Sequence, residues 1–154
     1  MGHQIPYRDD VPGAYKTMRS LEQFLAKGTL DTEILELVRL RVSQLNGCAY
    51  CVDLHSTRLE AEGVSARKIF AVGAWRESPF FTDRERAALD VAEVLTVEFN
   101  ECDPQDRLAD AYAAFTETEL VELTTAAIAI NGWNRLWVMF RTPEIEPLSS
   151  ADDD

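Results

Sequence analysis

Long apolar runs are missing from this sequence, and so is any surplus of positive charge. No stretch approaches the roughly 18 uninterrupted apolar residues of a membrane-spanning helix. The amino-terminal Met1-Gly2-His3-Gln4-Ile5-Pro6 has neither the basic nor the apolar region of a secretory leader. The expectation is a cytoplasmic protein without a membrane partner. Fifteen Lys and Arg against 27 Asp and Glu give a formal net charge of -12, which repels nucleic acid, and no local basic cluster offsets it. Cysteine is limited to three residues. An odd, small count in a chain without secretory features argues against a disulfide framework and leaves one close pair, Cys48 and Cys51, with Cys102 apart as a small apolar side chain.

Strand patterning is absent as well. No alternation of polar and apolar residues survives, whereas helical periodicity recurs along the chain, so the expected fold class is all-α. With 154 residues, 46% of them hydrophobic, a single domain with a real core is the default over 1–154, its core about 14–141 and a flexible arm at each end. The arms follow from composition: prolines, a glycine and adjacent aspartates up to about residue 12, and two prolines with an acidic end after Thr142. No internal repeat interrupts this picture.

Local signals place about six to seven helices. Spans are expected over about 14–25 and 31–45, the second with Ile34, Leu37 and Val38 on one stripe. Asn46-Gly47 breaks the pattern, because glycine enters the left-handed conformation that closes a helix. A helix then begins at Cys48 and runs to about Glu62, and Ser65 caps a shorter one toward Ala74. Thr82-Asp83-Arg84-Glu85 has capping-box spacing and opens a helix to about Phe99. Asp103-Pro104 opens another to about Phe115. Thr116-Glu117-Thr118-Glu119 is a second capping box, starting a helix to about Phe140 that is apolar nearly all round. Such a helix is central or covered by another subunit.

The chemistry concentrates in Cys48-Ala49-Tyr50-Cys51-Val52-Asp53-Leu54-His55. Cys48 and Cys51 are three apart and Cys51 and His55 four apart, so all three project from one side of a central helix, near its N-terminus. There the unpaired backbone N–H groups and the positive end of the dipole favour a thiolate over a thiol. Glu36 lies on the preceding helix. At 1.5 Å per residue it stands roughly 15 Å before the Asn46-Gly47 turn and His55 roughly 12 Å after it, so Glu36 levels with His55 rather than with Cys51. The expected arrangement is a relay in which Glu36, a water and His55 take the sulfur's proton. Cys51, facing His55, is then the attacking sulfur, and Cys48, nearer the turn and more exposed, closes the disulfide.

Other readings of these residues stay open. Two cysteines and a histidine are three-quarters of a structural zinc site, for which His3 is the one further histidine. Glu36 can serve as a surface partner of Arg39, and Trp75, Phe80 and Phe81 as core or as the mouth of an apolar substrate site. Trp133 and Trp137 read as packing or subunit interface, and Asn131, Asn134 and Arg135 as donors of interface hydrogen bonds.

The constellation Glu36-x11-Cys48-x2-Cys51-x3-His55 resembles the core signature of the alkylhydroperoxidase D-like branch of the carboxymuconolactone decarboxylase family. Ala74-Trp75-Arg76-Glu77, Phe80-Phe81-Thr82, Arg84-Glu85-Arg86 and Asn131-Gly132-Trp133-Asn134-Arg135 are similar to that branch too. The resemblance spans about Asp31 to Arg141. It implies an all-helical fold, a homo-oligomer (dimer, trimer or hexamer), and an antioxidant dithiol peroxidase with catalytic Glu36, Cys48, Cys51 and His55. Such an enzyme needs neither cofactor nor metal, and takes a small-molecule peroxide and an external dithiol reductant of lipoyl or thioredoxin-like type. The best understood peroxidase of the branch has a second histidine where this chain has Tyr50, so the relay here is shorter. A redox-responsive oligomer with little turnover is the alternative. The family's decarboxylating lyases generally lack the CxxC pair, which sets that reaction below both.

Overall fold

The computed structural model describes residues 11–140; the two expected arms, except Val11 and Pro12, and the candidate zinc ligand His3 lie outside them. Among the described residues there are eight α-helices and no strand. Pro12 starts α1, Pro12–Leu25, two residues ahead of the expected start. Its fixed φ suits the first helical turn, where its missing N–H removes no bond.

The chain is organised around α2, Thr32–Asn46, which is buried on two faces. Ile34, Leu35, Val38 and Val42 enter one core cluster, and Leu37 and Leu40 enter a second. A side chain of this size contributes about 1.5–3 kcal/mol when fully buried. The α2 helix ends where Gly47 takes φ 65°, ψ 32°. The Gly47 N–H donates to Gln44 and the Cys48 N–H to Ser43, satisfying carbonyls of the last turn.

That reversal leads directly into α3, Ala49–Ala61, which lays Cys51, His55 and Leu59 against α2. Ser65 caps α4, Ala66–Ala71, accepting from Lys68 N–H as its sequence position implies. One 3-10 turn, Val72–Ala74, follows. Thr82 and Glu85 form the expected reciprocal capping box at the start of α5, Asp83–Glu93.

Two departures from the expected spans have identifiable causes. Past Glu93 the chain winds wider as a π-helical segment, Val94–Glu98, where the Thr96 hydroxyl accepts from Asn131 Nδ2 at 3.0 Å. The segment from Asp103 is split into α6, Pro104–Arg107, and α7, Ala109–Ala114, by Leu108 at φ -104°, ψ 26°. The break lets Leu108, Ala111 and Phe115 all reach the core, while Arg107 grips Asp90 on α5.

Thr116 and Glu119 exchange the second capping box and open α8, Glu117–Phe140. This helix packs on α1, α2 and α5. Trp75 and Phe81 belong to the second core cluster, and Trp75 Nε1 donates to Glu93 at 2.9 Å. Phe80 is partly exposed beneath the Arg67 guanidinium. Cys102, half-buried, directs its sulfur to the Glu98 carbonyl.

Candidate active site

Cys48 and Cys51 are joined as a disulfide, their Cα atoms 5.3 Å apart. Cys48 is the N-cap of α3, and Cys51 stands in its first turn. The expectation that Cys48 is the more exposed sulfur is corrected, since both residues are 2% exposed. Gly47 turns the chain back on α2, and the Cys48 N–H bond to Ser43 draws that residue into the core cluster.

One helical turn beyond Cys51, His55 is buried beside Glu36, and its Nδ1 lies 2.7 Å from Glu36 Oε2. Hairpin arithmetic placed these two residues at one level, and the link between them is a direct hydrogen bond. Glu36 is not a surface residue. Its other oxygen, Oε1, accepts from Arg39 Nη1 at 2.5 Å, and Arg39 in turn reaches Glu22 Oε2 on α1 at 2.6 Å.

The electrostatics of the pair fix its protons. Burial pushes the Glu36 carboxyl upward, but the hydrogen bond and charge of His55, aided by Arg39, outweigh it and hold the carboxyl below its ordinary range. Burial also lowers the His55 pKa, and Glu36 only partly restores it. Near neutral pH the pair is therefore an ionised carboxylate and a neutral imidazole. Nδ1 carries the proton and donates to Glu36, which leaves Nε2 with a free lone pair.

Cys51 and His55 line a common cavity of about 150 Å³, walled by Tyr50, Trp133 and Trp137. Tyr50 stacks on Trp137 with ring centroids 3.9 Å apart, and Trp133 donates from Nε1 to Glu22 Oε1 at 3.1 Å. Trp133 and Trp137 pack as expected, Trp137 within the core cluster and Trp133 against it, and both also line the cavity of the disulfide. No spacing rule links α8 to α3, so the sequence carried no signal for this. Glu22 and its bond to Arg39 were missed for the same reason.

The other polar residues of α8 hold the scaffold inside one chain. Asn46 Nδ2 donates to Asn131 and to Asn134, both at 2.9 Å. Asn134, fully buried, donates to Ser43 Oγ at 3.1 Å. Arg135 bonds back to Asn131. Together these bonds form a polar seam within the chain that fastens the end of α2 just before the CxxC turn.

Comparison with known proteins agrees with this architecture. The model of the carboxymuconolactone decarboxylase family matches residues 12–94. The uncharacterised protein YdfG of Bacillus subtilis is 29% identical over 136 residues, covering 88% of this chain and 92% of its own. Escherichia coli YnjA, also uncharacterised, is 37% identical over 99 residues, 63% of this chain and 54% of its own. Among solved structures, the Agrobacterium tumefaciens protein ATU0492 superposes with a TM-score of 0.87 at 35% identity, covering 96% of this chain and 99% of that one. It is described as of unknown function and provisionally as the antioxidant defence protein AhpD. The apo debrominase Bmp8 shares the fold at 19% identity, with a TM-score of 0.77 over 87% of this chain and 72% of its own. On the family match over more than half of its length, and on the near full-length likeness to ATU0492, this chain belongs to the carboxymuconolactone decarboxylase family and has an AhpD-like helical fold.

Proposed function

We propose that the protein is a dithiol peroxidase that reduces hydrogen peroxide or small organic peroxides. The observation that carries this reading is a CxxC disulfide whose Cys51 shares a cavity with His55, an imidazole that burial keeps neutral and Glu36 orients.

In the reduced protein, His55 Nε2 takes the proton of the Cys51 thiol. The first turn of α3 stabilises the resulting thiolate through its unpaired N–H groups. The Cys51 sulfur then attacks one peroxide oxygen. The O–O bond breaks, Cys51 becomes a sulfenic acid, and the leaving alkoxide takes the proton held by His55 and departs as an alcohol. The Cys48 sulfur next attacks the Cys51 sulfur, forming the S–S bond as the S–O bond breaks, and hydroxide leaves as water with the Cys48 proton. Peroxide and two thiols thus become alcohol, water and a disulfide, and an external dithiol returns the pair to the reduced state by exchange.

Homo-oligomerisation belongs to the same reading. Val121, Ile128 and Met139 on α8 are 59%, 59% and 72% exposed, an apolar display that a second copy would cover. The deciding experiment follows peroxide-dependent oxidation of a dithiol donor, with lipoyl and thioredoxin-like donors compared. Turnover in the native protein and its loss in Cys51→Ser support the proposal. Equal rates in the native protein, Cys51→Ser and Glu36→Gln refute it. In Cys48→Ser a trapping reagent should find a persistent sulfenic acid on Cys51.

A further inference from the structure

The cavity beside Cys51 has a second chemical character, on its open side. Arg19 of α1 and Arg58 of α3 both line it, in a chain whose formal net charge is -12. The nearby carboxylates are already engaged. Glu36 is held by His55 and Arg39, and Glu22 by Arg39 and Trp133. Arg58 reaches Glu36 only at 3.7 Å, with its side chain 51% exposed. The Arg19 side chain is exposed and makes no ion pair or hydrogen bond among the described residues. Two guanidinium groups therefore remain available at the mouth of a pocket whose interior is aromatic.

Size narrows the occupant further. A cavity of about 150 Å³ is filled by a single benzene ring, and this one has that volume. Tyr50, Trp133 and Trp137 line it, and a flat ligand packs favourably against aromatic walls. An arginine fork pairs with a carboxylate through two parallel hydrogen bonds, and lysine does not reproduce that geometry.

We infer that the cavity is a binding site for small aromatic carboxylates, with one ring against the Tyr50, Trp133 and Trp137 walls and the carboxylate on Arg19 and Arg58. Resting on the peroxidase reading, this makes the preferred peroxides single-ring hydroperoxides that carry a carboxylate. The ring places the substrate beside Cys51, and the arginines select for charge at the far end.

The test separates binding from turnover. The oxidised full-length protein is titrated calorimetrically with 4-isopropylbenzoate and with its neutral isostere, 4-isopropylbenzamide, at low ionic strength. The expected result is a carboxylate preference of roughly tenfold, the scale set by partly exposed charge pairs, which shrinks as salt is added. Arg19→Gln alone should reduce the preference, and Arg19→Gln with Arg58→Gln should bring the two ligands to within about twofold. Equal affinities in the native protein, a preference that survives both substitutions, or no binding of either ligand at millimolar concentration would each overturn the assignment. Because neither ligand is a peroxide, this outcome is independent of the hydrogen peroxide turnover that decides the peroxidase reading.

Discussion

Tyr50 lies almost face to face with Trp137, the ring centroids 3.9 Å apart and the planes inclined by 22°. The residue standing where the best understood peroxidase of this branch has a histidine is thus a wall of the cavity. It ties the first turn of α3 to α8. Stacked aromatic pairs contribute about 0.5–1.5 kcal/mol beyond the area they bury. Tyr50→Phe should leave urea stability unchanged, whereas Tyr50→Leu should lower it by about 1 kcal/mol. Equal midpoints for the two variants would show that the stack contributes nothing.

Glu36→Gln tests the relay at its charged end. The amide preserves shape, but it removes the ionised acceptor of the Nδ1 proton and leaves Arg39 short of a partner. His55 then loses its fixed tautomer, and Nε2 is no longer reliably the basic nitrogen. The expected effect is a fall of roughly 100-fold in the rate of peroxide attack by the reduced protein, the lower range for loss of general base catalysis. Stopped-flow measurement of disulfide formation reads that step directly. A fall confined to the later, donor-dependent step would place Glu36 elsewhere in the cycle.

The pH dependence follows from the same two residues. His55 titrates below its ordinary 6.5 because burial disfavours the imidazolium. Between that ordinary value and the folded one, the unfolded chain binds more protons than the native protein, so stability falls as pH drops through this window. Glu36, lowered from an ordinary 4.5 by His55 and Arg39 against the opposing effect of burial, acts in the same direction at more acid pH. Denaturation midpoints should therefore decline from just under pH 6.5 downward, with a second decline beginning just under pH 4.5. In His55→Asn the first decline should disappear. The acid limb of activity should also lie below that of an ordinary imidazole, since the base stays neutral further into acid.

Much of this site was legible because its determinants are local. Gly47 closes α2, the two capping boxes start α5 and α8, and counting residues from the Asn46-Gly47 turn brings Glu36 level with His55. What was not legible depends on how helices cross. Trp137 reaches Tyr50, and Glu22 reaches Arg39, only once α8 has docked on α2 and α1 on α8. The burial of Cys48 escaped notice because proximity to a turn usually means exposure. Here the turn folds back under a helix end, and Cys48 joins the core. Asn131 and Asn134 also accept from Asn46 at the end of α2, a contact that no spacing within α8 announces.

Assembly can be tested on the exposed side of α8. Ile128 is 59% exposed and stands beside Leu95, Phe99 and Thr124 around an apolar hollow. Ile128→Glu places a charge on that surface without disturbing the buried face of the helix. Sedimentation velocity should show the native protein as an oligomer and the variant as a smaller species, with far-ultraviolet circular dichroism unchanged. A native monomer, or an oligomer indifferent to the substitution, would remove this face from the assembly.

Asn134→Ala examines how the seam between α8 and α2 supports the disulfide. The amide is fully buried and bonds both Asn46 and Ser43. Its loss leaves those groups short of a buried partner, at a cost of about 1–3 kcal/mol. A double-mutant cycle with Ser43→Ala isolates the Ser43 share, because truncating both ends of the bond should cost less than the sum of the single changes. The functional consequence lies one turn away, since Asn46 immediately precedes Gly47 and Cys48. Cys48 is 2% exposed and does not line the cavity that Cys51 shares with His55, so its alkylation in the reduced protein requires local opening of this turn. Weakening the seam should therefore accelerate iodoacetamide labelling of Cys48 several-fold under conditions where the variant remains globally folded. Unchanged labelling alongside a measured stability loss would mean that the seam holds the helices together without controlling access to the Cys48 sulfur.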